Sequence, residues 1–237
     1  MRKIAWYVIN LDKETARYAS VLSEADAFGV EIERLSAVNA ENIEDIDEHY
    51  VSLGVRAAWL SHMNAMKRFL DSNLEFAIIT EDDFHIDKPN ILKTILAKDS
   101  TYNYDFIQFG FLLPGVDTHI KFRVTNLQQK GFGLLSHLAK LPLFKNLKMG
   151  NRLRVREALL APEGIIESDS LPGAHFYMVS QKFAKEVISL NNPQYLSIDD
   201  FFSALSKMRA FRMGRMKKSL VSQLPFQSWS GNRFRRI

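Results

Sequence analysis

The chain of 237 residues contains no cysteine, which excludes disulfides and thiolate metal sites and suits a reducing compartment. No apolar run approaches the roughly 20 residues that a bilayer crossing needs. The opening MRKIAWYVINLDK imitates a secretion signal, with two basic residues before an apolar run. That run is short, Asn10 and Asp12 interrupt it, and no small-residue cleavage pattern follows. It reads as a first strand, and the expectation is a cytoplasmic protein. Four catalytic or phosphate-binding signatures are also missing. There is no GxxxxGK[ST] loop, no HExxH, no GxSxG elbow, and no GxGxxG after the first strand, where the chain reads INLDKETAR. Acidic residues stop at Asp200, while Lys207, Arg209, Arg212, Arg215, Lys217, Lys218, Arg233, Arg235 and Arg236 follow.

What is present is the composition of an ordinary soluble protein, with 46% hydrophobic and 24% charged residues and a net charge of +4. The length suits one large domain over residues 1–237. KIAWYVINL has the β-branched and aromatic content of a buried strand. DKETARYASVLSEADAFG sets Ala16, Ala19, Leu22, Ala25 and Phe28 near helical spacing, with Gly29 as a stop. VEIERLSAVN alternates as a second strand. VRAAWLSHMNAMKRFLDSN predicts a helix whose stripe is Trp59, Met63, Met66 and Leu70, widened by Ala65 and Phe69. LEFAIIT is short and nearly all apolar, as a strand covered on both faces would be.

DKPNILKTILAKD reads as a helix with Pro89 in its first turn. YDFIQFGFLL and GAHFYMVS read as strands and QKFAKEVISLN as a helix. Asp199 and Asp200 open a further helix, DDFFSALSKMRAF. The alternation of strand and helix predicts an α/β fold. From about 114 to about 162, Gly131, Gly133, Pro142 and Gly150 break up a basic stretch that reads as a mobile insert able to close over a ligand.

The strand LEFAIIT runs straight into Glu81, Asp82 and Asp83. Adjacent carboxylates repel. One use for them at a strand end is to hold a hard cation such as magnesium or manganese, which then neutralises phosphate oxygens. The carboxyl edge of an open α/β sheet is also where ligands bind. Side-chain alternation would point Glu81 and Asp83 to one side and Asp82 to the other. The competing reading is that the acids merely end a strand and solubilise a turn. With the rival signatures missing, a metal-assisted phosphate leaving group fits the residues best.

Taken in order, YVINLDKETAR, LSAVNA, WLSH, IITEDDF, GAHFYMVS and SIDDF resemble glycosyltransferase family 25, the bacterial lipooligosaccharide glycosyltransferases related to animal collagen galactosyltransferases. The resemblance runs from about residue 4 to about residue 230. It implies a GT-A-type fold, a Rossmann-like nucleotide-sugar-binding domain with a mostly parallel mixed sheet. It also implies a UDP-sugar donor and a divalent metal, manganese first and magnesium second. By that likeness Asp83 would contact the metal, with Glu81 near the ribose or a metal-bound water, and Asp82 completes the acidic motif. Asn10, Leu11, Asp12 and Arg17 would lie along the nucleotide pocket, and Ser61 and His62 on the helix before the acidic strand. For His62, a satisfied helix histidine is the competing reading.

The family resembles an inverting class, so a carboxylate must take the acceptor hydroxyl's proton. Asp199 is the first choice for that base and Asp200 the alternate, with helix N-capping as the rival explanation of both. Two departures stand out. GVRAA replaces a family GEIGC run, with Val55 in the acid's place and Ala57 for a glycine, and AVNA replaces AVDG.

The expected activity is transfer of a hexose, galactose or glucose, to a lipooligosaccharide, lipopolysaccharide or related surface glycan. A lipid-linked acceptor would give the basic run from Lys207 to Lys218 a partner in the anionic inner membrane surface. The alternative is a catalytically inactive member that serves as a glycan- or nucleotide-binding partner subunit. Nucleic acid is not an expected partner. No recognition motif accompanies the basic tail, and Phe211, Phe226, Trp229 and Phe234 read as packing residues.

Overall fold

The computed structural model describes residues 2–43, 51–111, 164–168, 171–190 and 196–224. The expected insert over about 114–162 lies outside the described residues, as do Phe226, Trp229 and Phe234. In chain order the elements are β1 (Ala5–Asn10), α1 (Thr15–Phe28), β2 (Glu33–Ser36), α2 (Leu53–Leu70), β3 (Phe76–Glu81), β4 (Phe84–Ile86), α3 (Pro89–Leu96) and β5 (Phe106–Gly110). After the undescribed segment come β6 (Ile165–Glu167), β7 (Phe176–Ser180), α4 (Gln181–Ser189), α5 (Ile198–Met208), β8 (Met213–Met216) and β9 (Val221–Gln223).

Alternation along the central strands decides the layering. Trp6 and Val8 of β1, Phe76 and Ile78 of β3, and Phe176 and Met178 of β7 enter one apolar cluster, which also holds Val21 and Phe28 of α1 and Leu92 of α3. Their neighbours Tyr7, Ile9, Ala77, Ile79, Tyr177 and Val179 enter the other, against Trp59 and Met66 of α2, Phe183 of α4 and Phe202 of α5. Both faces of the sheet are therefore covered by helices, which is why these strands are nearly continuous in hydrophobicity.

The sheet runs in the order β2-β1-β3-β7-β5-β8-β6, with β4 pairing β9 and β9 also pairing β5. β1 is parallel to β2 and β3, β7 is antiparallel to β3 and β5, and β5 is parallel to β8 and β9. β6 and β4 oppose β8 and β9. Among the described residues β1, β2, β3, β5, β8 and β9 thus run one way and β4, β6 and β7 the other. This is the expected α/β fold with a mixed, largely parallel sheet. α1 carries the chain from β1 to β2 and α2 carries it on from β2 to β3, so β2 and β3 flank β1 and a crevice opens at the carboxyl ends of β1 and β3.

Most helix signals act where the sequence puts them. Gly29 caps α1 in the left-handed conformation, at φ 81°, and Pro89 opens α3. The expected α1 stripe is out of phase, however. Arg17, Val21, Ala25 and Phe28 are the buried residues, whereas Leu22 is 40% exposed and Ala16 and Ala19 face solvent. The basic run from Lys207 to Lys218 does not form one continuous face either. β8 takes Met213–Met216 into the sheet beside β5, which divides the cations between the two ends of that strand. Arg215 lies over the Phe111 ring at 4.6 Å, and burial lowers its guanidinium's pKa. Phe211 packs on Phe183, as expected of a packing aromatic.

Gly110 ends β5 where nothing larger fits. A Cβ there would lie 2.5 Å from His175 Nε2 and 3.0 Å from the Val221 carbonyl. Gly110→Ala should therefore cost about 1–3 kcal/mol, the usual penalty of overpacking, read as a lower urea midpoint at unchanged slope. An unchanged midpoint would mean that the β5–β9 junction yields.

Candidate active site

The crevice is a cleft of about 310 Å³. Its walls are the end of β1 and the turn after it (Ile9, Leu11, Lys13), Arg17 of α1, residues 37–41, the first three turns of α2 (Gly54, Ala57, Ala58, Ser61, His62), the acidic triplet, and Gln223 of β9. Among the described residues no helix is long and apolar enough to cross a membrane.

The three carboxylates meet three different environments. Glu81 is the last residue of β3, but Asp82 and Asp83 form the turn into β4. The expected strand alternation therefore stops at Glu81, and all three acids reach the same cleft. Glu81 Oε1 lies 3.4 Å from His62 Nε2. Burial acts to raise the Glu81 carboxyl, but the adjacent His62 outweighs it, and the group sits below its ordinary pKa. Asp82 accepts hydrogen bonds from Asn10 Nδ2 at 2.6 Å and Arg17 at 3.2 Å. Burial nevertheless leaves the Asp82 pKa raised.

Asp83 is the least compensated. Its Oδ2 accepts from Gln223 Nε2 at 2.7 Å, while Oδ1 is buried with no hydrogen-bond partner among the described residues. Burial, with Glu81's charge beside it, pushes the carboxyl up to about 8. Two neighbouring carboxylates in low dielectric cannot both ionise cheaply.

The β1–α1 residues act as a brace. Asn10 donates to Asp82 and to the Glu14 carbonyl, and it accepts from Arg34 Nε at 2.8 Å. Arg17 also pairs with Glu14 at 3.4 Å. Asp12 does not line the cleft. Its carboxylate is engaged by Arg34 at 2.6 Å and by the Ser36 hydroxyl at 2.9 Å, and both hold its pKa down. Ser61 lines the cleft but spends its hydroxyl on structure, accepting from Val38 N and donating to the Ala57 carbonyl. His62, 1% exposed, places Nδ1 2.7 Å from the Tyr177 hydroxyl.

Asp199 and Asp200 are not among the cleft-lining residues. Asp199 is buried in the first turn of α5. It accepts from Ser197 Oγ at 2.5 Å and from the Gly173 amide at 3.3 Å, and its charge acts on Glu81. Asp200 is exposed, with Oδ2 2.6 Å from the same Ser197 hydroxyl, which also caps the helix by accepting from Asp200 N. A single hydroxyl proton cannot serve both carboxylates at once.

Sequence reasoning missed three residues here. Tyr177 and His175 lie inside GAHFYMVS, whose alternation marks them only as strand residues. Gln223 sits in a three-residue strand with no periodic signal. His175 is 1% exposed beside Glu81, whose amide bonds the His175 carbonyl. Neither ring nitrogen makes a hydrogen bond of normal geometry among the described residues, although the Val221 carbonyl is close enough to favour a proton there. Burial dominates and lowers the His175 pKa.

Among the described residues no group of three or more histidine or carboxylate side chains is arranged to hold a metal ion. What the cleft offers is narrower: an unpartnered, buried Asp83 oxygen close to a second carboxylate, Glu81. Magnesium and manganese sites that handle phosphates commonly use one or two protein carboxylates, with waters and phosphate oxygens completing the shell. The donor set suits that arrangement and not an all-protein cage.

The acid-lined cleft thus lies at the carboxyl edge of a largely parallel sheet, the edge at which open α/β sheets bind their ligands. The profile of glycosyltransferase family 25 (LPS biosynthesis protein) matches residues 3–202, and the chain belongs to that family. A solved glycosyltransferase, described as involved in the glycosylation of the major capsid of PBCV-1, matches over 95% of both chains at 12% identity and a TM-score of 0.44. Comparison with curated proteins gives no match.

The raised Asp83 pKa fixes a sign for stability. Between its ordinary value of 3.8 and about 8 the folded state holds a proton that the unfolded chain has released. Stability should therefore fall as pH rises through that window. Melting curves from pH 5 to about pH 8 should show this fall in wild type and a flatter dependence in Asp83→Asn. Equal slopes would assign the fall to other groups.

Proposed function

We propose that this family 25 glycosyltransferase moves a hexose, galactose or glucose, from a UDP-sugar to a lipid-linked lipooligosaccharide, lipopolysaccharide or related surface glycan, with inversion. The observation that carries the reading is Asp83 Oδ1, a buried carboxylate oxygen with no hydrogen-bond partner among the described residues, on a residue lining a cleft that also presents Lys13. A cation is the natural complement of that oxygen, and a diphosphate the natural complement of cation and basic side chains together.

In this reading Asp83 and Glu81 hold a divalent ion, manganese before magnesium, which when bound supplies positive charge against the departing diphosphate. The chain's own residues do the rest. His62 steadies Glu81. Asn10 and Arg17 fix Asp82 and with it the turn that presents Asp83. Leu11, Ala57 and Ala58 give the cleft apolar wall against which a base or sugar ring can pack. Asp199 is our first assignment for the base that takes the acceptor's proton, and Asp200 the second. A carboxylate has about four lone-pair sites, more than the Ser197 and Gly173 hydrogen bonds use. The charge of Asp199 is felt at Glu81. Peripheral attachment to an anionic membrane remains part of the proposal. It would have to work through separated cations and not through one basic face.

The second reading, an inactive partner subunit, drew on GVRAA. Val55 is 5% exposed and does not line the cleft, while Ala57 does. The departures thus change the wall's shape and leave the acidic triplet in place, which favours the enzyme.

Calorimetric titration of UDP with and without manganese tests the donor site. Wild type should bind in a manganese-dependent way, and Asp83→Ala should lose that dependence. Failure of wild type to bind UDP in either condition would favour the partner-subunit reading. Asp199→Asn should keep UDP binding while losing roughly 10²–10⁴-fold in transfer rate, the usual contribution of a general base.

A further inference from the structure

Tyr177 takes no part in the cleft wall, yet among the described residues its hydroxyl has one hydrogen-bond partner, His62, which does. It lies in the middle of β7, 0% exposed. Its ring stacks on Phe106 at 5.2 Å and meets Phe202 edge-on at 5.3 Å. Its hydroxyl lies 2.7 Å from His62 Nδ1.

Proton accounting settles the direction of that bond. A tyrosine hydroxyl carries one proton, and a buried donor left without an acceptor is costly. If Nδ1–H donated to the phenol, the phenol proton would have no acceptor among the described residues. Burial, and then the charge of Glu81, push the Tyr177 pKa well above its usual value, so the phenol keeps its proton. Tyr177 therefore donates and Nδ1 accepts. In the neutral imidazole the remaining proton is then on Nε2, which faces Glu81 Oε1 at 3.4 Å. The opposite tautomer would set the Nε2 lone pair against a carboxylate.

We propose that Tyr177 is a positioning residue, whose hydroxyl locks His62 in the Nε2–H tautomer so that His62 holds the Glu81 carboxylate in the cleft. The phenol works through His62 alone and never touches the ligand. The inference rests on the donor-site reading above for its consequence, and on hydrogen-bond geometry for the lock itself. Glu81 would be the less ordered member of the acidic pair without it, because the described residues give its carboxylate no other side-chain hydrogen bond. Partners of this outer kind are typically worth roughly 10–100-fold in metal affinity or activity.

Long-range proton–nitrogen NMR of the imidazoles tests the lock directly. Wild-type His62 should show its proton on Nε2, and a wild-type proton on Nδ1 would overturn the proposal whatever the variants do. Tyr177→Phe keeps the ring and removes the hydroxyl. It should convert His62 to a mixture of tautomers and weaken manganese-dependent UDP binding by roughly 10-fold or more. An unchanged tautomer and unchanged affinity in folded Tyr177→Phe would also overturn it.

A double-mutant cycle separates positioning from packing. In a His62→Gln background the tautomer no longer exists, so Tyr177→Phe should cause no further loss of affinity. An equal loss in both backgrounds would mean that Tyr177 acts through the core and not through His62. If wild type binds no UDP at all, the donor reading fails, while a tautomer change in Tyr177→Phe still supports the lock.

Discussion

Glu81, Asp82 and Asp83 place three negative charges in three consecutive residues at the end of a strand buried on both faces, and the structure around them is largely an answer to that concentration of charge. At such separations repulsion in a low-dielectric setting amounts to several kcal/mol unless each charge finds its own partner or gives up its ionisation. Each acid meets a different outcome. Glu81 gains an imidazole, Asp82 gains an amide and a guanidinium, and Asp83 gains a single amide and keeps one oxygen bare. The compensation is least at Asp83.

These partners come from distant parts of the chain. Asn10 and Arg17 lie 72 and 65 residues before Asp82, and Gln223 lies 140 residues after Asp83. The site therefore exists only once β1, α1, α2, β3 and β9 have assembled, and its polar contacts also lock their register. The Arg17–Asp82 pair shows the coupling most clearly. Both side chains are only 10% exposed, so removing the carboxylate would strand a buried cation at a cost of about 3–5 kcal/mol, less whatever Arg17's other contacts, Glu14 among them, retain. Asp82 is therefore better understood as the pin of the turn than as a ligand, although nothing in the sequence distinguishes it from its neighbours.

Much of the fold was legible because its central strands and α2 obey simple periodicity. Trp59, Met63 and Met66 of the expected α2 stripe are buried, as are Ala65 and Phe69 that widen it, while Leu70 at its end is half-buried. The α1 stripe was misread because Arg17 takes a buried position that an apolar count assigns elsewhere, and its burial is stabilised by Asp82, a residue of a distant strand. β4, β6, β8 and β9 have three or four residues each, too short for alternation to show. Their pairing is set by tertiary context. The acidic triplet was visible as a cluster, but its geometry was not, because the chain turns at Asp82 and strand alternation no longer applies. Asp12 illustrates a motif residue whose role moved. It lies next to the cleft residue Leu11 in sequence, yet its carboxylate faces Arg34 and Ser36 on β2.

The choice between a working site and a decayed one turns on where the uncompensated charge remains. A binding site that no longer held a cation would relax most cheaply by giving Asp83 Oδ1 a hydrogen-bond donor, or by opening it to water. Among the described residues neither is found: the oxygen is buried without a hydrogen-bond donor, and its carboxyl is displaced to about 8. Strongly perturbed carboxyls in clefts are more often functional than accidental, since their cost must be met by stability elsewhere. Here the apolar clusters on both faces of the sheet meet it. Among the described residues Asp82 and Glu81 are thus held by the protein itself, while Asp83 Oδ1 is the buried oxygen of the triplet left without a hydrogen bond.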